Sequence, residues 1–349
     1  PLRGWGDGRL PTPGWERAND WQGYVAFEDL PAQYNPADGL LVTANNQLTP
    51  DDAQPPIRGE WLNGWRAARI TQLLRDQPLH DAASFARIHA DQVSLPGLQL
   101  VALAGGLPDG DAIANQARAL LAAWDGQLAT ESCAATVAMQ LLEDLQREVF
   151  AAVTDLIQTR YGIGAFASRP GREYMGRALP VILAGLTTRD DSWFRDGRTW
   201  DDILAAAWVS TVATIRDRLG DNPGTWQYGN WHTVPFNHPL GAIPLIGRLF
   251  SRGPFPLGGN RDTVNMGDVQ VNSDGSRVIT TPSYRLIADT ADWDQCKSIH
   301  PTGQSGHLLS SHYADFMKAW LQVEYHPMPW TRAAVEEVST ETLALTPKR

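Results

Sequence analysis

Hydrophobic positions along the 349-residue chain change their period twice and mark out three blocks. Residues 1–58 hold short apolar runs, such as YVAFEDL and GLLVTA, between stretches rich in Pro, Gly and Asn. That is the pattern of short strands joined by loops. From Glu60 the spacing becomes helical, with Trp61, Trp65, Ala68 and Leu73 close to one face. Further helices are predicted at Asp81–Ala90, Asp111–Trp124, Glu131–Arg160, Gly176–Gly185 and Thr199–Leu219. The run ESCAATVAMQLLEDLQREVFAAVTDLIQ carries the heavy apolar loading of a helix buried in a bundle. At Thr199 the sequence TWDD sets a hydroxyl three residues before Asp202, a capping start.

After Asp221 the chain turns β-branched and aromatic again, in WQYGNWHTVPF, DTVNMGDVQVN and SRVITTPSYRLIADT. NSDG (Asn272–Gly275) joins two of these segments as a hairpin turn would. Helices near Met317–Tyr325 and Arg332–Val338 close the sequence. The predicted organisation is a sheet-forming segment (1–58), a helical segment (59–220) and a strand-rich segment (221–349). The first and third are expected to share one sheet, with the helices inserted between them. Strands that do not alternate with helices make this an α+β architecture.

Composition narrows the function classes. With 43% hydrophobic and 19% charged residues the chain is an ordinary globular one. A net charge of −10 and a pI near 5.2 argue against nucleic acid and against an anionic membrane surface as partners. The apolar stretch Ala178–Leu186 is too short to span a bilayer. Cys133 and Cys296 are too few for a metal quartet; they form either one bridge or two small buried residues. The opening PLRGWGDGRLPTPGW has neither the apolar core of a signal peptide nor an initiator Met, so the chain is expected to begin partway through a longer protein.

Several residue groups invite a chemical reading. Ser305 and His307 lie in PTGQSGH, outside any G-x-S-x-G elbow. His300, His307, His312 and Asp315 match no metal-helix spacing, and a hydrogen-bonded loop is the expected reading. Asp289, Asp292 and Asp294 lack the glycine and distal glutamate of a calcium loop and read as a solvated turn. Fourteen tryptophans with carboxylates suit a saccharide-acting enzyme, although Trp also fills cores. FPLGGNRDTVN (Phe255–Asn265) lacks the GK[ST] ending of a phosphate loop. In GLLVTANNQL (Gly39–Leu48) two asparagines follow a short apolar run. They read either as a turn or as an amide donor aimed at a reacting oxygen.

Taken in order, these segments resemble the penicillin acylase family of N-terminal nucleophile hydrolases. The resemblance rests on GRLPTPGW, DWQGYVAFEDLPAQYNPADGLLVTANN, EWLNGWRAARI, ESCAATVAMQLL, WHTVPFNHPLG, FPLGGNRDTVN, TPSYR, DWDQCKSIHPTGQSGHLLSSHYADFMKAW and EYHPMPWTRAAVE. It covers essentially the whole chain, and the joint order of the blocks makes it specific. It implies an Ntn-hydrolase-type αββα sandwich, present in part, with an inserted helical bundle. The family cuts a precursor so that a serine becomes a new amino terminus and acts as nucleophile with its own amine as base. The oxyanion is held by a backbone N–H and an asparagine amide.

That asparagine matches Asn45, with Asn46 completing the turn. The arginine supporting it matches Arg66, with Arg69 as the fallback one turn along. Pro1 has neither hydroxyl nor thiol, so the chain is expected to be the carboxy-terminal part of the large (beta) subunit, inactive alone. A companion polypeptide would carry the serine, together with the small (alpha) subunit. The resemblance implies no cofactor for the chemistry, a structural calcium site that draws most of its ligands from upstream of this sequence and for which an acid such as Asp52 is the one candidate here, small amide substrates, and a periplasmic or secreted location. A saccharide-acting enzyme and a non-catalytic binding module on an acylase scaffold are the alternatives.

Overall fold

The structure, a computed structural model, describes residues 1–6, 11–54, 57, 59, 61–153, 169–243, 247–272 and 275–347. They fall into two compact units, residues 1–76 and 77–349.

The first unit is mostly irregular. β1 (Leu2–Arg3) pairs antiparallel with β2 (Trp21–Gly23), and α1 spans Trp65–Arg75. The helix begins later than the sequence pattern suggests, and Trp61 stands outside it. The reason is local: the Leu62 N–H donates to the Asn45 carbonyl at 2.9 Å, holding this stretch extended until Gly64. Arg66 and Arg75 of α1 hydrogen-bond to Ala44, Asn45 and Asp38, which ties the helix to residues 1–58. The boundary between the two units falls after Asp76.

The second unit begins with α2 (Ala82–His89), α3 (Leu95–Leu103), α4 (Ala112–Ala122) and α5 (Cys133–Val153). α6 (Arg169–Thr188) and α7 (Trp200–Leu219) complete the bundle. The part of the predicted 131–160 helix beyond Val153 lies outside the described residues. α5 packs along α7. Its buried positions Val137, Ala138, Leu141, Leu145 and Val149 recur three or four apart, so one stripe faces the core. From α7 come Trp200, Ile203, Leu204, Ala207 and Trp208 on the same logic. The capping expectation at Thr199 holds: its side chain accepts the Asp202 N–H, and Asp202 accepts the Thr199 N–H in return.

Beyond the bundle, β3 (His232–Phe236), β4 (Arg252–Pro256), β5 (Asp268–Asn272) and β6 (Gly275–Thr280) form a mixed sheet ordered β4-β3-β6-β5. β5 and β6 are antiparallel and close at Asn272↔Gly275, the expected hairpin. β7 (Arg285–Ile287), β8 (Lys297–Ile299) and β9 (His326–Pro327) form a second, antiparallel sheet. α8 (Met317–Leu321) and α9 (Arg332–Val338) follow the predicted positions. One core unites the two sheets and α8: Val234, Leu257, Val278, Ile299 and Trp320 pack together.

The chain is thus mixed helix and sheet in the predicted order. The single sheet expected to join residues 1–58 with 221–349 is not among the ladders of the described residues. GLLVTA, expected as a strand, is extended without a ladder; Leu41 is exposed, and an isolated bridge, Asn46↔Leu62, follows it. A run with its apolar side chain in water has no burial to hold it in a sheet.

Candidate functional site

Asn45 sits at the end of that extended run with φ of 61°, in the left-handed region. Few residues other than Gly adopt this backbone; Asn does so because its short amide can bond locally. The turn reading is therefore correct for the backbone. Asn46 completes the turn, its Oδ1 accepting the Ala44 N–H at 3.0 Å and its Nδ2 donating to the Gln47 carbonyl at 3.0 Å.

The Asn45 side chain is engaged differently. Arg66 Nη2 donates to its Oδ1 at 2.8 Å and to the Ala44 carbonyl at 2.9 Å. A guanidinium has no acceptor, so the amide atom facing it must be the oxygen. The other amide atom, Nδ2, is then turned outward with two N–H donors. Among the described residues nothing accepts from it. The backbone is fixed as well, because the Asn45 carbonyl takes the Leu62 N–H. An exposed amide held at both its backbone and its oxygen is a preorganised donor, the arrangement that stabilises charge developing on a carbonyl oxygen. Arg69, by contrast, hydrogen-bonds Gln72 at 2.9 Å. The structure places Arg66, not Arg69, on Asn45.

The other candidates resolve into structure. The Ser305 hydroxyl accepts the His307 N–H at 3.1 Å, and His307 Nδ1 accepts the Leu309 N–H at 3.3 Å. Both belong to a turn, not a nucleophile pair. Asp294 accepts the Trp330 and Thr331 N–H groups and the Thr331 hydroxyl, all at 2.7 Å, and so fastens the start of α9. Cys133 and Cys296 are free thiols, not bridged to each other. Trp200, Trp208, Trp226 and Trp320 are fully buried core side chains rather than sugar platforms. Among the described residues no three His, Cys, Asp or Glu side chains gather to hold a metal ion, and Asp52 lies exposed in a turn. These acids do not by themselves form a calcium site.

The segments WHTVPFNHPLG and FPLGGNRDTVN meet in a buried polar knot. Gly259 (φ 76°) passes so close to Asn265 that a Cβ would lie 2.0 Å from the Asn265 carbonyl oxygen. Thr263 accepts the Asn260 N–H at 2.8 Å and donates to the Asn265 carbonyl at 2.9 Å. His232 lies beside this knot, its Nδ1 donating to the Leu257 carbonyl at 2.6 Å and its ring stacked on Tyr228 at 4.8 Å. Burial holds His232 down at about 4, so it is neutral.

The sequence reading missed one polar cluster. On α5, Asp144 accepts from Gln140 (2.9 Å), Thr211 (3.1 Å) and Arg147, which also bonds Glu143 at 2.8 Å. Burial pushes Glu143 up to about 7 and raises Asp144. The adjacent acids in LLEDLQR, inside an otherwise apolar run, were the available signal.

Comparison with known proteins follows the same lines. The penicillin amidase family model matches residues 1–337. The chain is 30% identical to the penicillin acylase 2 proenzyme of Pseudomonas sp. (strain SE83), over 98% of this chain and 43% of that protein. It is also 30% identical to the acyl-homoserine lactone acylase QuiP of Pseudomonas aeruginosa, over 100% of this chain and 44% of that protein. It therefore spans less than half the length of these relatives. In fold it is similar to a thermostable penicillin G acylase from Alcaligenes faecalis, with a TM-score of 0.54 at 19% identity. That match covers 95% of this chain and 61% of the acylase chain. With its family match running nearly end to end, the chain belongs to the penicillin amidase family.

Proposed function

We propose that this chain is the carboxy-terminal part of the large subunit of an acylase, and that Asn45 supplies the side-chain amide of its oxyanion hole. The observation that carries the reading is the 2.8 Å bond from Arg66 to Asn45 Oδ1, which turns both Nδ2–H donors outward.

In this reading a companion polypeptide, with the small subunit, brings a serine whose own α-amino group takes the hydroxyl proton. The serine oxygen attacks the amide carbonyl of the substrate. Negative charge develops on the carbonyl oxygen, and Asn45 Nδ2 donates to it without having to reorient. Collapse expels the amine and leaves an acyl-enzyme, which water hydrolyses through a second oxyanion at the same donor. Substrates are linear amides whose amine belongs to a β-lactam nucleus or a homoserine lactone, as the names of the relatives suggest for those proteins. The reading includes a periplasmic or secreted location and no hydrolysis by this chain alone.

The test is Asn45→Ala in the complete acylase. Turnover should fall about 10²–10³-fold, the usual cost of one oxyanion donor, with processing and folding intact. Wild-type kcat in that variant would overturn the assignment.

A further inference from the structure

The backbone around Asn45 is anchored from two directions. From the entry to α1, Arg66 Nη2 holds the Ala44 carbonyl and the Leu62 N–H holds the Asn45 carbonyl. From within the turn, the Asn46 amide reaches to both flanks of Asn45. Its Oδ1 accepts the Ala44 N–H on one side and its Nδ2 donates to the Gln47 carbonyl on the other, each at 3.0 Å. A turn of this kind asks for asparagine where φ is positive. Asn45 meets that demand, whereas Asn46 lies outside the left-handed region. The second asparagine is therefore explained by what its side chain holds, not by its own backbone.

Burial decides how much that hold matters. Ala44 is only 7% exposed, so its N–H has no ready access to water. Without the Asn46 oxygen a buried donor stays unmet unless the chain shifts. Asn45 is the next residue, and any such shift carries it along.

We propose that Asn46 is a positioning residue of the oxyanion hole: its amide fixes the left-handed backbone of Asn45 and thereby the place from which the Nδ2 donors project. The proposal rests on the acylase reading. Arg66 determines which amide atom of Asn45 faces outward. Asn46 determines where that atom stands. It makes no bond to the Asn45 side chain among the described residues, so its effect passes through the backbone and reaches the reaction only by way of the Asn45 amide.

That last point gives the test, a double-mutant cycle in the complete acylase. Penicillin G and N-octanoyl-homoserine lactone serve as probes, and kcat and KM are measured with whichever the wild type hydrolyses faster. Asn46→Ala should lower kcat about tenfold, inside the roughly 10²-fold that a misplacement of about 1 Å can cost, with KM within about twofold. In the Asn45→Ala background the same change should cost less than about twofold, because the donor it positions is gone. A merely structural role would lower kcat equally in both backgrounds. Asn46→Ser keeps an acceptor on a shorter stem; its kcat should fall between wild type and Asn46→Ala, and it carries the cycle where alanine prevents processing. Wild-type kcat in Asn46→Ala, or an equal loss in both backgrounds, would overturn the proposal while leaving the acylase reading in place. Wild-type kcat in Asn45→Ala would instead overturn that reading, and the proposal with it.

Discussion

Replacing Glu143 with Gln should expose a pH dependence of stability that the native chain hides. Burial pushes Glu143 up to about 7 from its ordinary 4.5, against the opposing charge of Arg147. An acid so raised keeps in the folded state a proton that the unfolded chain releases. Its contribution to stability therefore grows as pH falls from 7 toward 4.5. Between pH 8 and pH 5 the full shift is worth about 2.5 kcal/mol. The side chain is 24% exposed, and solvent screening trims this to about 2 kcal/mol. Asp144, raised by the same burial, acts in the same direction.

His232 works against them. Burial holds it at about 4, below its ordinary 6.5, so the unfolded chain takes up a proton that the folded one refuses. Stability is lost as pH falls from 6.5 toward 4, by about 2 kcal/mol between pH 8 and pH 5. Over that interval the two contributions nearly cancel. The exposed capping aspartates, such as Asp111 and Asp202, are held below the usual carboxylate range and lose their contribution mainly at lower pH. Urea unfolding followed by far-UV circular dichroism at pH 5, 6, 7 and 8 measures the balance. Glu143→Gln should lose about 2 kcal/mol on going from pH 8 to pH 5. His232→Asn, which keeps a donor for the Leu257 carbonyl, should gain a similar amount over the same range. A Glu143→Gln profile as flat as the native one would refute the reasoning.

Three further outcomes are expected. Arg66→Lys in the complete acylase should lower kcat by about tenfold or more, with KM little changed. A single ammonium lacks the guanidinium fork, and a charge-assisted bond of this kind is worth about 1.5–3 kcal/mol; an unchanged kcat would separate Arg66 from Asn45. Gly259→Ala should cost more than about 2 kcal/mol in urea unfolding, since the new Cβ meets the Asn265 carbonyl oxygen and the backbone is left-handed. Wild-type stability there would mean that the knot can relax. Thr199→Ala should cost about 1 kcal/mol through loss of the cap on α7, whereas Ala at neighbouring exposed Arg195 should be near neutral.

The elements most legible in the sequence were those whose signals are local. The Thr199–Asp202 box, the Asn272–Gly275 turn and the Arg332–Val338 helix needed only a few neighbouring residues. α3 was not read because Pro96 and Gly97 look like breakers, yet Ser94 caps the helix and the proline sits in its first turn, where no N–H is needed. Trp61 fitted the helical period but was claimed by the extended pairing of Leu62 with Asn45, a tertiary preference that no window reveals. The candidate site was half legible. The turn at Asn45 could be read from its composition, but its arginine lies 21 positions away, and the pairing came from family resemblance. The Glu143–Asp144 cluster needed Thr211, 67 positions from Asp144, to make sense.

The uneven burial of the tryptophans has a spectroscopic consequence. Trp200, Trp226 and Trp320 are sealed in the core of the second unit, while Trp5 and Trp15 in the first are largely in water. A collisional quencher such as acrylamide would extinguish the emission of Trp5 and Trp15, together with that of exposed Trp293 and Trp330, and leave blue-shifted emission from the buried tryptophans. The emission that survives the quencher thus reports, without a label, on the integrity of the bundle and sheets that seal Trp200, Trp226 and Trp320.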